Sequence, residues 1–308
     1  MIDNILLNYH EQLPEENTFM DIMADITHKC NMSCKNCYIP NREIPDMNLE
    51  KFRDFLSRLN GRCMIRIVGA EPTMNPQCGE FIRSVFEFGH RCILLTNGLR
   101  LSSRRYVDEL HDTGLRHVYL SLNGVDNDDW YEKIDELRCA EKKIKALRNI
   151  KARKMILDTG TIIVPDVNET APGQLLELFE RESIRHAFMR IKNVGQLGRY
   201  QTEVADNVKL NQLVKLCSEQ MNISEDYIWS HHDNPMYGIY NDEPNTILFP
   251  LKEGNKLVNR GHWVKITNWD TDNDSGIPDP NSRRRGRITE NWTVAPLYEH
   301  IKLNEGEY

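Results

Sequence analysis

Cys30, Cys34 and Cys37 bring three thiols into one short loop, with spacing C-x3-C-x2-C. Thiolates gathered in this way are soft ligands suited to an iron–sulfur cluster or another thiophilic metal. Three of them, with no obvious fourth, leave one corner of a cubane cluster open to a ligand from outside the protein. A structural zinc site is the alternative. It needs one more ligand, for which His28 is near and Cys63 or Cys92 would have to arrive from a distance. The other cysteines (Cys63, Cys78, Cys92, Cys139 and Cys217) are scattered without a second tight pair, which fits a reducing cytoplasm.

The loop is positioned by what precedes and follows it. Residues 19–27 read as a strand that ends at His28-Lys29, so the thiols sit at its carboxyl end, the face where α/β folds bind ligands. Helical spacing over 49–59 is followed by a strand at 63–68 and a Gly69-Ala70-Glu71-Pro72 turn. Helices are expected at 81–88, 105–113, 134–158 (the last long and open to a break) and 174–181. Strands are expected at 92–95, 117–122, 160–164 and 187–191. Strands alternating with helices predict a mostly parallel sheet of six βα units, which a partial barrel and an open curved sheet satisfy equally.

The chain has 308 residues, 40% hydrophobic and 28% charged, enough apolar content for a sizeable core. Its formal net charge of -7 argues against a broad grip on nucleic acid. No apolar run is long enough to span a membrane, and the N-terminus lacks a secretory signal, so a cytoplasmic location is expected.

The motif Cys30-Asn-Met-Ser-Cys34-Lys-Asn-Cys37-Tyr38 resembles the cluster-binding motif of the radical S-adenosylmethionine superfamily, over about the first two thirds of the chain. Asn36 stands where the family usually has an aromatic residue, and Ala70 replaces the second glycine of its GGEP turn. The resemblance implies an α/β fold, a partial (β/α)6 barrel with a C-terminal extension closing the site. It also implies a [4Fe-4S] cluster on Cys30, Cys34 and Cys37, and S-adenosylmethionine on the open iron. Reductive cleavage of that cofactor would yield a radical that abstracts a substrate hydrogen, the protein fixing distance and excluding quenchers. By the same resemblance Tyr38 would cover the cluster, Gly69, Ala70 and Glu71 would contact or orient the cofactor, Ser121 and Asn123 would hydrogen-bond it, Val164 would lie along adenine, and Arg199 would pair with a carboxylate. A one-electron donor such as flavodoxin or ferredoxin is the implied partner.

Residues 1–18 read as an N-terminal extension, 19–200 as the barrel and 201–308 as a helix followed by an aromatic-rich substrate or closing region. Over 208–220 the helix places Cys217 on an apolar face, as a core residue or as a thiol that returns a hydrogen atom to a substrate radical. Residues 262–269 read as a strand or a β-rich closing element. The one dense basic run, Arg283, Arg284, Arg285 and Arg287, is either a solvated loop paired with acids or a clamp for substrate phosphate or carboxylate. No cysteine follows Cys217, so a single cluster is expected. The leading expectation is an enzyme acting on a small-molecule metabolite by epimerisation, rearrangement, decarboxylation or dehydrogenation. A maturase of a ribosomal peptide, an activator of a glycyl-radical enzyme, an RNA-modifying enzyme and a metal-stabilised interaction protein are the alternatives.

Overall fold

The computed structural model describes residues 11–37, 39, 42–185, 187–193, 208–232, 246–251, 261–268 and 285–296. Tyr38, Arg199, Arg283 and Arg284 lie outside the described residues. Six βα units follow one another as expected: β1 (Asp21–Asp25), α1 (Leu49–Arg58), β2 (Met64–Val68), α2 (Cys78–Glu87), β3 (Arg91–Thr96), α3 (Arg104–Asp112), β4 (His117–Ser121), α4 (Asp128–Asp135), α5 (Ala140–Ala152), β5 (Ile156–Ile162), α6 (Ala171–Arg181) and β6 (Ala187–Lys192). Then come α7 (Leu210–Met221), α8 (Glu225–Trp229), β7 (Thr246–Pro250), β8 (Trp263–Thr267), β9 (Arg285–Ile288) and β10 (Val294–Pro296).

The ten strands among the described residues form one sheet in the order β10-β9-β1-β2-β3-β4-β5-β6-β8-β7. From β9 to β8 every pairing is parallel, and β10 and β7 run antiparallel at the two ends. The six-strand count is therefore extended by four strands from the C-terminal third, two at each side. Residues 263–267 were legible as a strand, whereas β9, Arg285-Gly286-Arg287-Ile288, carries no apolar alternation. Its arginines face the acids of β1: Arg287 Nη2 donates to Asp25 Oδ1 at 2.7 Å, and Arg285 stands 3.6 Å from Asp21. The solvated-loop reading of this run is thereby corrected for Arg285 and Arg287. They sit in a strand, with their charges matched by its neighbour.

The strand alternation assigns the two faces. Ile22, Ala24, Ile65, Ile67, Leu94, Val118, Leu120 and Leu157 point outward into the core shared with Phe52, Phe55 and Phe81 of the helices. Each of the larger side chains contributes about 1.5–3 kcal/mol by leaving water. The opposite face carries Asp21, Met23, Asp25, Arg66, Tyr119, Asp158 and Arg190. Strands β2 and β6 would stand about 19 Å apart in a flat sheet. Because β1 to β6 are neighbours in chain order, right-handed crossovers put their connecting helices on the first face, and the sheet curls with its second face concave.

The long helix expected over 134–158 is two helices and the start of a strand. Asn127 caps α4 by accepting from the N–H groups of Asp129 and Trp130. Glu136 adopts φ +52°, which ends that helix before α5 begins. Charged and apolar residues continue across the break, so periodicity alone hides it.

Candidate active site

The cysteine loop leaves the carboxyl end of β1 and is tied down at several points. Thr27 Oγ1 donates to Asp46 at 2.6 Å, and Lys29 Nζ bonds the same carboxylate at 2.9 Å. The turn after β2 closes onto the same stretch: Ala70 N–H donates to Thr27 O at 2.9 Å and Glu71 N–H to Lys29 O at 3.0 Å. Gly69 makes this approach possible. Its φ is +141°, and a Cβ there would meet Thr27 O at 2.1 Å. Gly69→Ala is therefore expected to cost about 2–4 kcal/mol and to loosen the loop just ahead of Cys30. Denaturant unfolding and trypsin susceptibility at Lys29 measure the two effects. An unchanged midpoint with unchanged proteolysis would contradict it.

Cys30, Cys34 and Cys37 are free thiols, each half-buried. Cys30 lies within electrostatic reach of Cys37, and Cys34 of Cys30. Among the described residues no three His, Cys, Asp or Glu side chains form a preassembled ion cage, these thiols included. Burial pushes the Cys30 thiol up, and burial with the neighbouring Asp135 carboxylate pushes Cys34 up strongly. Thiols so placed hold their protons unless a cation takes the charge of the thiolate. That donor set fits an iron–sulfur cluster, whose iron supplies the charge.

Beneath the loop lies a buried polar frame. Glu71 is fully buried, and its carboxylate accepts from Thr73 N–H at 3.1 Å, Thr73 Oγ1, Thr96 Oγ1 at 2.7 Å and Asn97 N–H at 2.7 Å. It thus both caps the following turn and pins the end of β3. Asn97 in turn donates to Asn31 Oδ1 at 2.8 Å, inside the cysteine loop. Lys143 is fully buried and donates to the carbonyls of Asn97 and Ser121, the latter at 3.0 Å. Sequence reading missed it, because a lysine on an amphipathic helix ordinarily faces water. Asp135, also missed, is 1% exposed, with Oδ1 accepting from Asn123 at 2.9 Å.

The other expected cofactor contacts fall at the carboxyl ends of neighbouring strands. Ser121 ends β4 half-exposed on the concave face. Val164 is buried with Ile134 and Ile162 just past β5. Asn123 is engaged by the protein itself: its amide donates to Asp135 and accepts from Ile162 N–H, and its carbonyl accepts from Asn168. These bonds make Asn123 a clasp between the β4 and β5 ends. Cys217 is fully buried on the apolar face of α7 with Leu213, Val214 and Met221, in the helix-side core. A hydrogen-atom donor has to reach the concave face, so that reading of Cys217 is corrected to a core residue.

A parallel βα sheet with a thiol-bearing loop at the carboxyl end of its first strand defines a cluster-binding α/β enzyme class. The family model of the radical SAM superfamily matches residues 25–179, half of the chain, and the chain belongs to that superfamily of enzymes, which work with a [4Fe-4S] cluster and S-adenosylmethionine. The PqqA peptide cyclase of Methylorubrum extorquens (strain PA1) is 28% identical over 139 residues, 44% of this chain and 33% of that protein. The Fe-coproporphyrin III synthase of Methanosarcina barkeri is 29% identical over 109 residues, 34% of this chain and 27% of that one. The match thus spans about a third of these curated relatives. The fold is similar to that of Streptococcus suis SuiB, solved bound to precursor peptide SuiA, with a TM-score of 0.63 and 15% identity over 93% of this chain and 61% of that chain. No helix among the described residues is long and apolar enough to cross a membrane.

Proposed function

We propose that Cys30, Cys34 and Cys37 hold the cluster and that this chain removes a hydrogen atom from a substrate seated on the concave face of the sheet. When bound, the cluster and S-adenosylmethionine supply reductive cleavage and hydrogen abstraction. The observation that carries the reading is the loop itself: three half-buried thiols at the end of β1, held by the Gly69 turn and the Glu71–Asn97 frame. The Gly69-Ala70-Glu71 turn and Ser121 border the space next to the loop. Val164 supplies an apolar wall for an adenine. An external one-electron donor completes the system.

A segment of a peptide is the substrate class we favour. The names of the PqqA peptide cyclase and of the SuiA-bound SuiB structure support it. A small-molecule metabolite is the second reading, supported by the Fe-coproporphyrin III synthase match and by the charged concave face. Anaerobic reconstitution with iron and sulfide, followed by reductant and S-adenosylmethionine, should produce 5'-deoxyadenosine. Retention of zinc without any cleavage would overturn the proposal. Deuterium transfer into 5'-deoxyadenosine from labelled candidates then separates peptide from metabolite.

A further inference from the structure

On the concave face, strands β4, β5 and β6 carry an arrangement that the cysteine loop does not use. Tyr119 is half-buried between His117 and Ser121 on β4. The register sets Tyr119 beside Asp158 of β5, and Gly160 beside Arg190 of β6. The phenol lies directly over Gly160, where a Cβ would stand 1.6 Å from its hydroxyl and 2.3 Å from Cζ. Glycine weakens a strand interior and marks sites of close approach. Here it lets the ring cross β5 toward β6. On the far side Arg190 Cζ is 5.6 Å and Lys192 Nζ 5.8 Å from the ring centroid, both at cation–π distance.

Packing against two cations accounts for the ring, which a phenylalanine would satisfy as well. It does not account for the hydroxyl, which makes no hydrogen bond among the described residues. Arg190 gives Nε and Nη2 to Asp158 Oδ2, at 3.2 and 2.6 Å, and its Nη1 to no described residue. Asp158 does not compete for the tyrosine, because its other oxygen is taken by His117 Nε2 at 3.0 Å. Across the curl, Arg66 feels both Arg190 and Arg285, while it donates to the Asp21 carboxylate twice from Nε and once from Nη2. The wall therefore combines a phenol, a guanidinium edge and a lysine in a cationic field, the donor set that binds a carboxylate or phosphate.

We propose that Tyr119, Arg190 and Lys192, with Gly160 clearing the way, form a subsite for an oxyanion of the substrate. Tyr119 and Arg190 donate hydrogen bonds and Lys192 supplies charge. The subsite lies two residues below Ser121 on the same strand face, roughly 7 Å deeper than the end of β4. It rests on the reading of the concave face as the substrate chamber, and it narrows that substrate to one carrying a carboxylate or phosphate.

Calorimetric titration of the reconstituted protein tests it with inorganic phosphate, glutarate, glutaramide and an end-blocked alanine peptide containing one glutamate. Glutarate, phosphate or the peptide should bind and glutaramide should not. Preference for the peptide over glutarate assigns the oxyanion to an acidic side chain, and the reverse to a free metabolite. Tyr119→Phe, which keeps the ring, should weaken binding about tenfold, and Lys192→Met by a similar factor. Gly160→Ala, which drives the phenol off β5, should weaken it at least as much. Equal affinity in wild type and Tyr119→Phe, or equal binding of glutarate and glutaramide, would overturn the subsite. Cofactor cleavage is measured separately, so a protein that cleaves S-adenosylmethionine but binds none of the anions refutes the subsite alone. One that binds them without cleavage refutes the radical chemistry alone.

Discussion

Replacing Cys34 with alanine is expected to abolish iron binding, with iron content falling from about four atoms per chain to near zero after anaerobic reconstitution. Cys34 is the most strongly perturbed thiol of the loop, raised first by burial and then by Asp135. Its thiolate has no reason to persist there except as a metal ligand. Cys30→Ala and Cys37→Ala should behave alike, since two thiolates cannot anchor a cubane with only one corner left open. Cys139 is the informative control. It is buried in the same small apolar cluster that Cys30 and Cys34 pack against, together with Met32, Leu99 and Tyr131. Its position at the start of α5 leaves it out of the C-x3-C-x2-C pattern, so Cys139→Ala should keep its iron. Iron and sulfide assays with visible absorption decide the matter. Iron retained in Cys34→Ala and lost in Cys139→Ala would mean that a different set of thiols holds the cluster.

The second large effect is expected from Glu71→Gln. The carboxylate is fully buried and faces donors only: two from Thr73, one from Thr96 and one from Asn97. A glutamine must turn its NH2 toward at least one of them. The least costly orientation gives up the Asn97 bond and sets two donors against each other, at a cost of about 2–4 kcal/mol. A fall in Tm of about 3–6 °C should follow. Because Asn97 reaches Asn31 in the cysteine loop, the variant should also lose iron faster to a chelator. An unchanged Tm would show that Glu71 is not the hub of this frame. Loss of stability at normal iron retention would show that the frame does not reach the loop.

Much of the architecture follows from short stretches of chain. The six βα units appear where period-2 and period-3.6 patterns alternate, with ends shifted by one to three residues in most of them. The cysteine triplet and the Gly69 turn are legible for the same reason: each works through residues adjacent in sequence. The errors share an opposite cause. The break at Glu136 depends on a single backbone conformation, invisible to a pattern of charges and apolar residues. Lys143 reads as a surface lysine until the carbonyls of Asn97 and Ser121 close on it from other elements. The bonds of Asn123 to Asp135, Ile162 and Asn168 likewise depend on residues that lie apart in the chain.

Which atoms can ligate a metal, where along the chain they lie, and that they fall at the end of a strand all follow from local sequence. Those properties reside in one continuous loop. The tertiary structure alone decided what surrounds that loop. Arg287 meets Asp25 across 262 residues, because β9 pairs with β1. Tyr119 reaches Arg190 and Lys192, because β5 lies between their strands and carries a glycine under the ring. Strand order and curl are set by the packing of the whole outer core, and no local stretch encodes them. The chemistry of the loop is therefore written in the chain, whereas the shape and charge of the chamber it faces come from the fold.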